Sequence, residues 1–169
     1  MKSIALLSDT HSVLDERFIR HLKNSDEIWH AGDIGSLEIY DKLKKLSNVR
    51  AVYGNIDNHK IRITLASELF FKCEGINVYM THIGGKPGKY SKGIKEKIEK
   101  TEPNVFVCGH SHILKIMNDK KNNLLYINPG AAGEYGFHKK RTMINLEIIN
   151  KEVKNLEVIE LNNYKKKLP

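Results

Sequence analysis

The segment Ile4–His11 reads IALLSDTH and joins a strand-like run to polar residues suited to binding a metal. Its four apolar residues predict a short buried β-strand, and Ser8, Asp9, Thr10 and His11 follow directly. Ligands of open α/β sheets bind at the carboxyl ends of the strands, so Asp9 and His11 are expected at that edge. The segment therefore predicts a central strand and one part of a site.

The same order, an apolar run and then polar residues, recurs four times along the chain. Asp33 follows Ile28–Trp29, Asn55 and Asp57 follow Val49–Tyr53, His82 follows Ile76–Met80, and His110 and His112 follow Val105–Cys108. Because each run predicts a strand, these side chains would converge on one sheet edge although they lie far apart in the sequence. A lone Asp-x-His or His-x-His pair is weak evidence, so the ordered series is the specific signal.

Between the first strands, apolar residues recur at the spacing of a helix face. The helical groups are Leu14, Phe18 and Leu22; Ile39, Leu43 and Leu46; and, more weakly, Tyr90, Ile94 and Ile98. Ser12 and Ser36 are candidate N-caps of the first two helices. Alternating strands and helices predict an α/β fold that begins with βαβ units in a mainly parallel sheet.

The last third of the chain contains strand-like runs with almost no helix. The runs are Leu124–Ile127, Thr142–Ile149 and Val153–Leu161, and Asn150-Lys151 suits a hairpin turn. They predict a second, more antiparallel sheet that packs on the first and shares one core with it. No repeat, low-complexity segment or linker divides the sequence, so residues 1–169 are expected to form a single domain.

The formal net charge of +8 arises entirely in the second half of the chain. Residues 1–84 hold 11 basic and 11 acidic side chains, whereas residues 85–169 hold 17 and 9. No RNP-like, zinc-finger or helix-turn-helix pattern accompanies this charge, so specific nucleic-acid binding is not predicted.

Two cysteines are too few for a disulfide framework, and no apolar run is long enough to cross a membrane. A cytoplasmic location is therefore expected.

The polar residues at the strand ends have the chemistry of a metal site. They offer two carboxylates, four imidazoles and one amide oxygen, from Asp9, His11, Asp33, Asn55, His82, His110 and His112. This donor set suits Mn, Fe, Co, Ni or Zn better than Ca. Seven ligands exceed the needs of one ion, but they suit two ions that share a bridging carboxylate.

The series Asp9-x-His11, Gly32-Asp33, Gly54-Asn55, His82 and Gly109-His110-x-His112 resembles the calcineurin-like metallophosphoesterases, particularly their small YfcE-like phosphodiesterase subgroup. The resemblance runs from residue 3 to about residue 133 and includes the turn Asn128-Pro129-Gly130. It implies a four-layer αββα architecture, in which two packed mixed β-sheets are flanked by helices.

The resemblance also implies two divalent metal ions, with Mn first and Ni, Fe, Co or Zn as alternatives. One ion would be held by Asp9, His11 and His112 and the other by Asn55, His82 and His110, with Asp33 as the bridge. The implied activity is hydrolysis of phosphate esters, chiefly phosphodiesters, by in-line attack of a metal-bridging hydroxide. The implied catalytic residues are Asn55, Asp57 and His110.

The sequence departs from the larger family at Ile56. The family motif reads Gly-Asn-His-Asp/Glu, and its His is thought to protonate the leaving oxygen, whereas this chain has Ile56 and retains Asp57. Two explanations stay open. Either the substrates have good leaving groups, or another residue such as His59 supplies the proton.

Other polar residues have weaker claims to a function. Lys86 and Lys89, in the GGKPGK segment after His82, are candidate contacts for substrate phosphate, although the segment is not a Walker motif. His30 is either a partner of a metal ligand or a satisfied core histidine, and Asp57 either orients Asn55 or stabilises a turn. The remaining expectations are a packed core thiol at Cys108, edge protection by Lys139-Lys140-Arg141 and a solvated tail at Lys165-Lys166-Lys167.

A different class of function is a scaffold for protein assembly. The retromer subunit related to this family uses the same fold in that way, with altered metal positions, whereas this sequence keeps all seven ligand types. The favoured partner is therefore a small phosphate ester, with no specific nucleic acid and no membrane. Association into a homo-oligomer stays open.

Overall fold

The computed structural model describes residues 1–162, so the lysines of the predicted tail, Lys165-Lys166-Lys167, lie outside the described residues. In chain order the elements are β1 (Lys2–Leu7), α1 (Glu16–Lys23), β2 (Glu27–His30), α2 (Leu37–Leu46), β3 (Asn48–Ala51), α3 (His59–Thr64), β4 (Glu68–Cys73), β5 (Ile76–Thr81), β6 (Gly85–Lys86), β7 (Lys89–Tyr90), α4 (Ile94–Thr101), β8 (Val105–Val107), β9 (Leu114–Asp119), β10 (Leu124–Pro129), β11 (Lys140–Ile149) and β12 (Glu152–Asn162).

Two five-stranded sheets form the centre of the molecule. The first has the order β12-β11-β1-β2-β3 and the second the order β4-β5-β8-β10-β9. In each sheet three neighbouring strands run parallel, β1-β2-β3 and β5-β8-β10, and the remaining strands pair antiparallel. Both sheets are therefore mixed, as the predicted fold class requires.

Three apolar clusters divide the molecule into four layers. One cluster fills the space between the sheets and includes Leu6, Trp29, Val107 and Ile144. A second joins the outer face of the first sheet to α1, α2 and α3. A third joins the outer face of the second sheet to α4. This order of helices, sheet, sheet and helix confirms the αββα architecture.

The prediction that the last third forms its own sheet is wrong for β11 and β12. Both strands extend the first sheet, where Leu146 of β11 pairs with Ile4 of β1. The physical reason is burial on both faces of β11: Met143 packs under the helices, while Ile144 lies between the sheets. A strand covered on both faces needs an interior position, which β11 finds between β1 and β12.

The predicted cap of α2 and the predicted hairpin turn are confirmed, whereas the predicted cap of α1 is wrong. Ser36 caps α2 as predicted, and Asn150-Lys151 forms the predicted turn with φ angles of 51° and 64°. Ser12 does not cap α1, because its left-handed backbone (φ 67°) belongs to the loop after β1. Asp15 caps that helix instead, and accepts the Arg17 amide. Tyr90 lies in the β6–β7 hairpin rather than in α4.

A buried ion-pair network ties the amino-terminal strands together. Glu27 on β2 accepts hydrogen bonds from Lys2 (2.8 Å), from the Trp29 indole (2.9 Å) and from Arg50 (2.9 Å). Burial by itself would raise the Glu27 pKa, but these donors outweigh it and hold the pKa at about 2. Within residues 1–162, no helix is long and apolar enough to cross a membrane.

Candidate metal centre

The loops that follow β1, β2, β3, β5 and β8 meet at one edge of the two sheets. They bring together two groups of possible metal ligands: Asp9, His11 and His112, and Asp33, His82 and His110. Within each group the ligand atoms lie within 4.8 Å of one another. Asn55 joins the second group, since its Oδ1 is 3.1 Å from His82 Nε2. Parallel strands from both sheets therefore deliver these side chains to a single place.

Asp33 lies between the two groups. Its Oδ2 is 3.2 Å from His82 Nε2 and 3.9 Å from His11 Nε2, so one carboxylate oxygen approaches a ligand of each group. Asp9 Oδ1 is 3.3 Å from His112 Nε2. Asp33 could therefore contribute to a cation held by either group.

The donor atoms at this edge fit a cation. Asp9 is fully buried, and its Oδ1 accepts no hydrogen bond within the described part of the chain. A buried carboxylate oxygen without a donor is costly, and a metal ion would remove that cost. The Nε2 atoms of His11 and His112 face each other at 3.3 Å, which also calls for a proton or a cation between them.

The backbone at the site is held in an uncommon conformation. Left-handed φ angles occur at five of the seven candidate ligands, namely Asp9 (55°), His11 (46°), Asp33 (54°), His110 (68°) and His112 (58°). This conformation costs a non-glycine residue free energy, and residues strained in this way concentrate at functional sites. Backbone bonds fix the loops, from Asp9 N to Gly32 O and from His11 N to Asp33 O, both 3.0 Å.

Two glycines leave room for the carboxylates. A Cβ at Gly54 would lie 2.0 Å from Asp33 Oδ1, and a Cβ at Gly109 would lie 2.0 Å from Ser8 Oγ and 2.9 Å from Asp9 Oδ2. No side chain fits at these distances. The glycines that precede Asn55 and His110 in the sequence therefore permit the close approach of neighbouring loops.

Burial and charge act in opposite directions on the imidazoles. Burial lowers the pKa of His11 and outweighs the raising effect of Asp33 and Asp9. Burial also acts to lower the pKa of His82, but its bond to Asp33 and the charge of Asp9 outweigh burial, so the pKa is raised. The His82 Nδ1–H donates to Ala31 O (2.8 Å), which turns Nε2 towards Asp33 and leaves it available to a metal ion.

Asp57 holds two ligand loops together from behind. It is buried, and its carboxylate accepts three backbone amides, from Gly54 (2.8 Å), Ile34 (3.2 Å) and Gly35 (2.7 Å). These bonds join the loop after β2 to the loop after β3. Asp57 therefore fixes the backbone around Asp33 and Asn55, and lies outside both ligand groups.

His30 is a satisfied core histidine. Its Nδ1 accepts the Gly32 amide at 3.2 Å, so its Nε2 carries the proton and donates to Thr10 Oγ1 at 3.0 Å. Thr10 in turn donates to Ile34 O. Burial lowers the His30 pKa to about 4, which keeps the ring neutral and able to fix the loop that carries Asp33.

The loop with His110 and His112 is supported by Asn128. Asn128 Nδ2 donates to Gly109 O (2.8 Å) and Ser111 Oγ (3.0 Å), and Asn128 Oδ1 accepts the Gly130 amide. Cys108 is buried beside Tyr126 (Sγ to hydroxyl 3.1 Å), and burial raises its pKa to about 11. A thiol in that state is a packing group, as the sequence predicts.

Several residues near the ligands carry no sequence signal. The loop before β11 brings the Tyr135 ring to 5.1 Å from the His11 ring and the His138 ring to 5.3 Å from the His112 ring. Lys115 on β9 lines a cleft beside His110 together with the predicted Lys86 and Lys89. These residues approach the site only through long-range contacts, so local patterns could not identify them.

Exposed apolar side chains surround the ligands and form what we call the apolar rim: Val13, Ile56, Ile83 and Ile113. Each lies within two residues of a candidate ligand in the sequence, and Ile113 is 65% exposed. His59, the proposed alternative proton donor, is the exposed first residue of α3.

The expectation of edge protection is wrong for Arg141. Its side chain is buried and pairs with Asp15 (2.9 Å) and with Glu134 (3.3 Å). Arg141 therefore ties the loop before β11 to the start of α1, whereas Lys139 and Lys140 are exposed.

Comparison with known proteins assigns this architecture to a family. A family model described as the calcineurin-like phosphoesterase superfamily domain matches residues 1–151. A protein described as a probable metallophosphoesterase, from Methanothermobacter thermautotrophicus, is 28% identical over 135 residues, which cover 76% of each chain.

Two solved structures share the fold. Vps29 from Entamoeba histolytica, complexed with Zn²⁺, has a TM-score of 0.74 at 17% identity and covers 95% of this chain and 99% of that chain. An archaeal phosphodiesterase has a TM-score of 0.67 at 22% identity, with 93% and 99% covered. The family match over most of the sequence confirms the resemblance that the motifs indicate, and the chain belongs to the calcineurin-like phosphoesterase superfamily.

Proposed function

We propose that this protein is a phosphodiesterase that depends on two divalent metal ions. The observation that carries the proposal is the position of Asp33, whose Oδ2 approaches His82 of one ligand group and His11 of the other. When bound, two divalent ions would neutralise phosphoryl oxygens and supply an activated water for in-line attack.

The side chains that hold the ions would be divided as the family resemblance implies. Asp9, His11 and His112 would hold one ion, and Asn55, His82 and His110 the other, with Asp33 shared. Two aspartates supply −2 against +4 from two divalent ions, so the centre stays positive and attracts a phosphate anion. Mn²⁺ is the first candidate from the family resemblance, and the donor set also suits Ni, Fe, Co or Zn.

The exposed members of the centre are the proposed catalytic residues. Asn55 and His110 are exposed at the mouth of the site, whereas Asp9 and Asp33 are buried. A substrate phosphate entering from solvent would meet Asn55 and His110 first and be oriented by them. Asp57 would act through the backbone amides that it holds, and is better described as a positioning residue.

The preference for diesters rests on the residue that replaces the family histidine. Ile56 has no proton to give, and it is exposed at the mouth, where it can contact an organic substituent. Lys86 and Lys89, which line the cleft beside His110, are the proposed contacts for substrate phosphate. The structurally similar archaeal protein is a phosphodiesterase, which supports this choice. A cytoplasmic location and a single domain over residues 1–169 are parts of the same proposal.

The decisive experiment compares bis(p-nitrophenyl) phosphate with p-nitrophenyl phosphate. Chelator-treated protein should be inactive, and added Mn²⁺, Ni²⁺ or Zn²⁺ should restore hydrolysis, faster for the diester. Asp33→Asn should lose the activity, whereas Asp41→Asn, an exposed site on α2, should keep it. Absence of metal-dependent turnover with either ester would overturn the proposal. His59→Ala should alter the pH–rate profile only if His59 supplies the proton.

A scaffold for protein assembly is the second candidate. Its support is the shared fold with Vps29, which says nothing of this chain's partners. If the protein is a scaffold, the double variant Asp9→Asn, Asp33→Asn should still retain its partner in a pull-down. The wild-type protein should then hydrolyse neither ester. Retention of both buried carboxylates and all four imidazoles at one edge favours catalysis.

A further inference from the structure

A cleft opens directly beside the metal centre, on the side of His110. It has a volume of about 480 Å³ and lies between the segment from Ile83 to the β6–β7 hairpin and the start of β9. Lys86, Lys89 and Lys115 line it, together with His110 and the rim residues Ile83 and Ile113. His110 is therefore shared between the cleft and a ligand group. A substrate whose phosphate reaches the centre would extend its remaining part into this space.

The charge of the cleft is strongly one-sided. Among residues 1–162, those that line the cleft include three lysines and no Asp or Glu. None of the three ammonium groups forms an ion pair with a described residue, whereas Lys2, Lys44 and Lys97 elsewhere on the surface do. Three unpaired cations around one concave space favour an anionic ligand with more than one charge.

The floor of the cleft is rigid. The hydroxyl of Tyr126 donates to Gly85 O at 2.7 Å, and the amide of Ser91 donates to Gly84 O at 3.1 Å. A Cβ at Gly84 would lie 2.7 Å from Cys108 Cβ, so the hairpin packs closely on β8. Lys115 is half-buried and fixed on β9, where it pairs with Asn128 of β10. The cleft is therefore formed before a ligand arrives, which lowers the entropy cost of binding.

We propose that this cleft is a subsite for a second phosphoryl group of the substrate, and that Lys115 is the residue that recognises it, assisted by Lys86 and Lys89. The inference rests on the proposed phosphodiesterase function and narrows its substrates to esters that carry a further phosphate on the organic part. Lys115 is half-buried on β9, which pairs with β10, whereas Lys86 and Lys89 are exposed on a short hairpin.

Equilibrium binding to chelated, metal-free protein tests the cleft independently of catalysis. Thymidine 3′,5′-bisphosphate should bind more tightly than thymidine 5′-monophosphate, and the difference should shrink as salt rises. Lys115→Gln should weaken bisphosphate binding by about 5-fold, the scale of a partly screened ion pair. Lys120→Gln removes the same charge at the far end of β9 and should leave binding unchanged. Equal affinities for the two nucleotides would overturn the proposal.

A pair of chromogenic diesters tests the same cleft in the metal-loaded enzyme. The p-nitrophenyl ester of thymidine 5′-phosphate is compared with the same ester carrying a 3′-phosphate. The 3′-phosphate should raise kcat/KM, and Lys115→Gln should remove that gain by raising KM with kcat unchanged. A gain that persists in Lys115→Gln would overturn the role of Lys115. If neither ester is hydrolysed with any metal, the proposed function fails, and the metal-free binding experiment still decides whether the cleft binds a bisphosphate.

Discussion

Replacing Gly54 with alanine should disrupt the proposed metal centre through one methyl group. The φ angle of Gly54 lies outside the left-handed region, so alanine would not meet the backbone strain of that region. By itself such a change stabilises a protein by about 0.4 to 1 kcal/mol, because it restricts the unfolded chain. The only penalty is steric, since the new Cβ would lie 2.0 Å from Asp33 Oδ1, 2.5 Å from Asp33 N and 2.7 Å from Asp33 Cγ.

The size of the effect follows from these distances. Real Cβ contacts are essentially never closer than 3.0 Å, so the Asp33 carboxylate must move by at least 1.0 Å (3.0 minus 2.0). The Asp33 amide must also move, which spreads the loops after β2 and β3 and weakens the bond from Ile56 N to Asp33 Oδ1 (3.0 Å). Loss of a partner that only supports a metal ligand typically costs about 10- to 100-fold in affinity, so displacing Asp33, a proposed ligand of both ions, should cost at least that much. Overpacking costs about 1 to 3 kcal/mol of folding free energy.

Isothermal titration with Mn²⁺ measures the affinity, and urea unfolding of the metal-free protein measures the stability. Gly88→Ala is the matched control, because no atom lies within 4 Å of the Cβ that it adds. Its positive φ of 82° costs about 1 kcal/mol of stability, without an effect on metal binding. A folded Gly54→Ala protein that binds Mn²⁺ as tightly as the wild type would refute the reasoning.

Three other substitutions test neighbouring parts of the structure. Asp57→Asn should lower the free energy of unfolding, measured in urea, by about 2 to 4 kcal/mol, because a buried carboxylate that accepts three backbone amides loses its charge. The exposed control Asp41→Asn should change the free energy of unfolding by less than about 0.5 kcal/mol. Glu27→Gln should lower the free energy of unfolding by up to about 3 kcal/mol at pH 7, because a carboxyl pKa lowered from 4.5 to about 2 stabilises the folded state above pH 4.5. The difference in stability from the wild type should shrink as the pH falls from 4.5 towards 2. A difference that stays constant with pH would contradict the prediction. Asn128→Leu should weaken Mn²⁺ binding by about 10-fold, because the His110 loop loses two donors; unchanged binding would show that the loop holds its shape without them.

The sequence predicted most of the strands and helices because their signals are local. Apolar runs marked β1, β5 and β8, and i, i+4 spacing marked α1 and α2. Which strands pair with each other depends on residues far apart in the sequence. The position of β11 beside β1 could therefore not be predicted from the alternation of apolar and polar residues in β11. The elements α3, β4 and β9 were not predicted, and β4 has only one fully buried residue, Cys73, which leaves a weak pattern.

The candidate ligands were predictable for a related reason. Each lies directly after a strand, and the topology of parallel strands places all such positions at one edge. The residues that support the ligand loops were harder to predict. Asp57 and His30 accept hydrogen bonds from backbone amides, and the direction of those amides depends on the folded loops. Lys115 comes three residues after His112 and has no distinguishing neighbour, so only the three-dimensional packing reveals its cleft.

The alternation of candidate ligand and apolar rim along four of the five loops has a consequence for divergence within the superfamily. Ile56 and Ile113 directly follow Asn55 and His112 in the sequence, yet they are exposed at the mouth of the site. A mutation at such a rim position changes what the mouth accepts while the adjacent ligand keeps a position fixed by strand and backbone. Loops tolerate this kind of change, and one fold can host many substrates in this way. New specificities can therefore arise by single substitutions at the rim, with every intermediate retaining the candidate ligands.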